Sequence, residues 1–175
     1  AGMDIIVSGT LGDHAATVMA ARHGLTLPPE IQSDCAPLCH LTAAMIAAAG
    51  DGIAVLRDPT RGGAAASLNE LAGAAGVGVL LEEDAIPVRP AVQGVCEMLG
   101  FDPLTLANEG KLLAFVRPEV TAPVLDVMHE NPYGREACVI GHTTADAPGT
   151  VGLRTALGGI RVVDLPLGEL VPRIC

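Results

Sequence analysis

Apolar positions in this chain follow two rhythms, short unbroken runs and longer stretches with apolar residues three and four apart, and each predicts a different element. The run Asp4–Val7 predicts a strand, and residues 53–56 predict a short buried one. Further strands are expected at 77–81, 111–116, 137–143, 151–155 and 160–163. The last two are joined through Gly158-Gly159 as a hairpin. Helices fall between the runs. Asp13 is expected to cap one reaching about Arg22, and Ser33-Asp34 one that continues through Ala49 over an alanine-rich, strongly helix-forming stretch. Residues 64–75, 90–99 and 118–130 complete the set, the last two opened by Pro90 and Pro118. Residues 24–32, centred on Pro28-Pro29, and 131–134 read as loop and turn. Alternating elements closed by antiparallel strands predict an α+β fold over residues 4–164, a mixed β-sheet with helices packed against it.

Residues 165–175 break both rhythms. Pro166 and Pro172 lack an N–H and Gly168 bends freely, so a flexible, extended tail is expected. Stretched out it reaches about 36 Å. It ends Pro172-Arg173-Ile174-Cys175, which places a thiol on the last residue. Taken alone, the tail favours an accidental thiol on a frayed end, the alternative being delivery of Cys175 to a site on another domain or another protein.

Composition narrows the classes. The 175 residues suffice for one domain with a proper core, and with no Trp, one Tyr and two Phe that core is aliphatic. A formal charge of −10 opposes nucleic acid and anionic membranes. No apolar run approaches the ~18 residues that cross a bilayer. Five cysteines, an odd number with no signal peptide before them, make disulfides unexpected and a reducing cytoplasm the default. The abrupt start, Ala1-Gly2-Met3 running directly into a strand, is expected of a fragment of a longer protein.

Three stretches carry candidate chemistry. Ser8-Gly9-Thr10-Leu11-Gly12-Asp13 joins a strand to a helix, but it lacks the Lys-Ser/Thr of a P-loop, so tight-turn geometry is expected over phosphate binding. Arg57-Asp58-Pro59-Thr60-Arg61-Gly62-Gly63 is a charged, glycine-rich strand-to-helix junction of the kind that meets ligands, and Asn69 and Glu70 follow on its helix, where Glu70 equally suits a solvent-facing position. Asn108-Glu109-Gly110 sets a carboxylate at the mouth of an apolar strand, accessible on a firm scaffold. That suits a general base, the alternative being a turn carboxylate bonding local N–H groups. Cys35, Cys39 and His40 have neither haem-attachment nor zinc-site spacing, so core packing is expected and no metal. Cys96 is read as core filler and His142 as a structural histidine.

Asp58-Pro-Thr-Arg-Gly-Gly63, Leu68-Asn-Glu-Leu-Ala72 and Asn108-Glu-Gly110 together resemble the C-terminal domain of the superfamily typified by aminoimidazole ribonucleotide synthetase, which includes selenophosphate synthetase and thiamine monophosphate kinase. Ser8-Gly-Thr-Leu-Gly-Asp-His14 and Pro-Arg-Ile-Cys175 are similar to the HypE family of hydrogenase maturation proteins within it. The resemblance implies that Cys175 receives a carbamoyl group from HypF, and that ATP with Mg drives its dehydration to a thiocyanate. The cyano group then passes to iron on HypC–HypD as a ligand of [NiFe] hydrogenase. It also implies Glu109 as the base, Asp58, Arg61, Asn69 and Glu70 near the nucleotide and tail, and Pro172, Arg173 and Ile174 as tail-positioning residues. Members carry an N-terminal domain with most of the ATP site and a homodimer interface. This chain shows no counterpart, so it is expected to be inactive alone. Rival readings are another ATP-dependent synthetase of the superfamily, a non-catalytic partner-binding module, and a redox or metal protein using Cys35, Cys39 and His40.

Overall fold

A computed structural model describes residues 1–165. Its sheet has seven strands in the order β2-β4-β1-β5-β3-β6-β7, where β1 is Asp4–Val7, β2 Ile53–Arg57, β3 Gly78–Glu82, β4 Leu113–Val116, β5 Cys138–Thr144, β6 Val151–Arg154 and β7 Ile160–Val162. All neighbours are antiparallel except β3 and β6, which makes the sheet mixed as expected.

β1 is central, and its pattern explains why. Ile5 and Val7 face one core while Ile6 faces another, so alternate side chains bury on both faces and the run reads as unbroken apolar sequence. The first face is covered by α3 (Gly63–Ala75), whose Ala64, Ala65, Leu68 and Ala72 lie in that core. Alanine lets the helix sit close to the sheet, and truncating the fully buried Leu68 would cost about 3 kcal/mol. The other face is covered by α2 (Cys39–Ala49) and α5 (Pro118–Glu130), through Leu41, Met45, Val124 and Met128. A third core joins α1 (Asp13–Arg22) to α4 (Pro90–Leu99), with Cys96 buried in it as expected.

Four local readings change. Asp13 lies inside α1, and the cap position is Gly12 at φ 86°, where a left-handed turn favours glycine. α2 begins at Cys39 and not at Ser33-Asp34, because Pro37 disfavours helical geometry at Ala36 and the helix starts only beyond it. β2 is an edge strand, half-buried to exposed along its length, and not a buried one. Cys35, Cys39 and His40 are exposed and not packed in a core, since the segment before α2 runs over the surface.

Topology then gathers the motifs. β1 and β2 both run antiparallel to β4, and Val7 and Arg57 each pair with Leu113. The segments leaving β1 and β2 therefore meet the segment entering β4 at one end of the sheet.

Candidate functional site

At that end the 106–112 segment is fastened from three directions. Ser8 and Leu112 bond reciprocally, the Ser8 N–H to the Leu112 carbonyl and the Leu112 N–H to the Ser8 hydroxyl, each at 3.0 Å. Asn108, fully buried, accepts the Gly12 N–H at 2.8 Å and donates its amide hydrogens to the carbonyls of Pro59 (3.1 Å) and Leu106 (2.9 Å). The next residue reaches a third segment, where the Glu109 N–H donates to Asp34 Oδ1 at 2.8 Å. Gly110 then packs so tightly on the main chain of Asp34 and Ala36 that a Cβ would overlap the Asp34 carbonyl. The backbone on both sides of Glu109 is thus held while the residue itself is exposed.

Two further groups lie beneath this loop. The Asp34 side chain is only 2 % exposed, and among the described residues its Oδ2 has no hydrogen-bond partner but lies 3.9 Å from Lys111 Nζ. Lys111, itself largely buried, lies across Gly9 of the β1 exit. On the other side, His14 Nδ1 is 2.8 Å from Ser33 Oγ, and Ser33 donates to Cys35 Sγ at 3.2 Å. Thr10 donates to Asp13 Oδ2, and Arg89 Nε stands 3.5 Å from the same oxygen. Among the described residues no group of three or more His, Cys, Asp or Glu side chains is arranged to hold a metal ion.

The residues singled out from the sequence divide. Glu109 is at the centre of the cluster. Asp58 and Arg61 are exposed on the β2–α3 turn beside Pro59, and the Asp58 carbonyl accepts from Ser67 at 3.4 Å. Glu70 faces solvent and pairs with Arg57 at 3.2 Å. Asn69 donates to the carbonyls of Ala65 and Val163, both at 2.9 Å, so it ties α3 to the chain just beyond β7. Pro172, Arg173, Ile174 and Cys175 lie outside the described residues. Sequence reasoning missed Asp34 and Lys111 as members of the site. The available signal was Pro37, which frees Asp34 from any capping duty. A cavity of about 530 Å³ lies elsewhere, beside β7, lined by residues such as Phe101, Asp102 and Arg161.

Comparison with known proteins gives a consistent picture. Residues 1–154 match the family described as AIR synthase related protein, C-terminal domain. The chain is 54 % identical over 170 residues to a Rhodobacter capsulatus protein named carbamoyl dehydratase HypE, covering 97 % of this chain and 50 % of that protein. The chain spans about half the length of the curated relatives it matches. A crystal structure of hydrogenase maturation protein HypE superposes with a TM-score of 0.94 at 42 % identity, over 99 % of this chain and 56 % of that one. A HypE structure in complex with ATP gives 0.91 at 42 % (99 % and 53 %), and a HypE–HypF complex gives 0.88 at 40 % (94 % and 53 %).

Proposed function

The chain belongs to the AIR synthase related protein family through that family's C-terminal domain, and from that membership we propose that it serves as the C-terminal part of a HypE-type carbamoyl dehydratase in [NiFe] hydrogenase maturation. Residues 4–164 form the floor of the reaction chamber and residues 165–175 deliver Cys175 to it. A preceding domain of the whole protein carries most of the ATP site and the homodimer contact. The proteins named HypE among its relatives, one of them solved with ATP and one with HypF, support this.

The chemistry follows from the groups involved. The Cys175 thiolate attacks the activated carbamoyl carbon supplied through HypF; a C–S bond forms as the bond from that carbon to its activating group breaks, and that group leaves with the bonding pair. The resulting amide oxygen is a poor leaving group, so ATP phosphorylates it. The nitrogen gives up its first proton as the O-phosphorylated imidate forms; a base then takes the second as the phosphate leaves, and the carbon–nitrogen bond becomes a nitrile on sulfur. HypC–HypD accepts the cyano group for iron: the iron centre supplies the electron pair of the new bond to carbon, and the S–C bond breaks to return the Cys175 thiolate. Glu109 is the base: a carboxylate with reach, on a main chain that cannot drift. Asp58, Arg61 and Glu70 form the polar rim toward nucleotide and tail, and Asn69 sets where the tail departs. Mg²⁺ would accompany the ATP phosphates, mostly through the preceding domain, and would neutralise their charge. The cytoplasm, where reduced thiols persist, is the expected compartment.

The observation that carries this reading is the pairing of an exposed Glu109 with fixed neighbours on both sides. Mass spectrometry of the C-terminal peptide tests it, using the full-length protein with HypF, carbamoyl phosphate and ATP. Wild type yields the thiocyanate, Glu109→Gln stops at the carbamoyl adduct, and Cys175→Ser takes up nothing. Residues 1–175 alone should release no phosphate from ATP. Cyanide delivery by a full-length protein lacking Cys175 would overturn the assignment.

A further inference from the structure

We propose that Asp34 is a positioning residue for the dehydration step, holding Glu109 through its backbone N–H; this rests on the reading of Glu109 as the base. Asp34 sits in a surface segment, yet its side chain is 2 % exposed. Burying a carboxylate is costly, and a buried ion pair seldom adds net stability. Here the return is small. Among the described residues one oxygen has a single good hydrogen bond, from Glu109, and the other has none, only a lysine ammonium 3.9 Å away. A side chain kept for stability would be better satisfied.

What the arrangement does achieve is placement. Position 34 touches the 109–110 step twice, by side chain to the Glu109 N–H and by its own carbonyl against Gly110. The first contact tethers the Glu109 backbone to Asp34, and the second sets how closely the loop packs on the 34–36 segment. Lys111 follows two residues after Glu109, lies across Gly9 and stands 3.9 Å from the Asp34 carboxylate, so it links both to the β1 exit. A base must stand within hydrogen-bond reach of the proton it removes, and an error of about 1 Å can cost about a hundredfold in rate.

The test uses the full-length enzyme and reads three quantities: kcat for the carbamoyl-to-thiocyanate step, KM for ATP, and the melting temperature. Asp34→Ala should lower kcat by about a hundredfold, with KM for ATP and carbamoyl uptake at Cys175 unchanged. Asp34→Asn keeps an oxygen that accepts the Glu109 N–H, and it should recover kcat to within about tenfold of wild type even though it loses the Lys111 partner. A purely structural Asp34 would instead show kcat falling in step with melting temperature in both variants. That result overturns the proposal, as does an Asp34→Ala enzyme of wild-type kcat. Glu109→Gln runs alongside: if it keeps full activity, the base assignment has failed rather than the positioning one. Should Asp34→Ala not fold, amide exchange at Glu109 in the wild type decides. Strong protection in this exposed loop is expected, and exchange at the rate of an unprotected peptide refutes the proposal.

Discussion

The Gly12 N–H and the side-chain oxygen of Asn108, 96 positions apart in the chain, meet at 2.8 Å with no exposed surface on the asparagine. That one amide fills three roles, since its nitrogen also supplies the carbonyls of Pro59 and Leu106. Every motif segment around Glu109 except 33–36 is therefore joined through a single side chain.

Asn108→Ala removes three buried hydrogen bonds and leaves the Gly12 N–H without its partner. A loss of about 3 kcal/mol is expected, which for a chain of this size lowers the melting temperature by about 6–12 °C. Asn108→Asp should be no better despite its near-identical shape. Its second oxygen would face two carbonyls where the amide nitrogen donated, so the substitution replaces attraction with repulsion. Thermal melts of the two variants check this, and an aspartate variant as stable as wild type would contradict the bonding pattern.

Gly110→Ala separates steric from conformational causes. The added methyl meets the carbonyl of Asp34 and the N–H of Ala36, both main chain, so nothing flexible can yield. The 34–36 segment must move outward and take Asp34 Oδ1 from the Glu109 N–H. The full-length variant should still be carbamoylated on Cys175, while its dehydration slows by about a hundredfold. Gly94, on α4 with open space where a Cβ would point, provides the control: Gly94→Ala should stabilise by up to about 1 kcal/mol.

Where sequence and structure agree or part has local physical reasons. The limits of α4 and α5 were legible because a proline at each start leaves no choice of register, and β1 because both faces are apolar. The exposure of Glu109 ahead of β4 was legible because a carboxylate between Asn and Gly at the mouth of an apolar strand falls in a turn. The two misread helix starts share one cause. Asp13 and Asp34 both look like caps, but Gly12 took the first cap position through its left-handed turn, and Pro37 moved the second helix out of reach. Asp34 then pairs with a residue 75 positions away, a meeting set by the sheet order and by nothing local.

The cysteines should separate by environment. Burial, with smaller contributions from the Asp102 and Glu97 charges, pushes the Cys96 thiol up to about 11, and burial also raises Cys138, whereas Cys35 and Cys39 are exposed. Near pH 8, iodoacetamide should label Cys35 and Cys39 well before Cys96 and Cys138, as read by peptide mapping. The same shift has a stability sign. The unfolded thiol ionises near 9.0 and the folded one near 11, so above pH 9 the unfolded state is favoured by losing a proton that the folded state keeps. Stability from this group is complete below pH 9 and drains away toward pH 11. Cys96→Ala should be less stable at neutral pH because of the cavity, yet show a flatter fall from pH 9 to 11 in denaturant titrations.

Asn69 controls where the chain leaves the sheet. Its amide nitrogen donates to the carbonyl of Val163, whose own N–H bonds to Val151 at 2.8 Å, and Asp164 and Leu165 beyond it are exposed. The residue stands six positions beyond Gly63 on α3, about 9 Å along the axis from the helix start. Asn69→Ala should cost about 1 kcal/mol and raise amide exchange at Val163. Asn69→Asp should be worse, since a carboxylate would oppose the Val163 carbonyl it replaces a donor to. In the full-length protein both should accept carbamoyl from HypF normally, because that step needs only an accessible thiol. If Asn69 aims the tail as proposed, dehydration should slow in both, and more in the aspartate variant. Equal effects on the two steps would show that Asn69 supports the fold and has no part in aiming the tail.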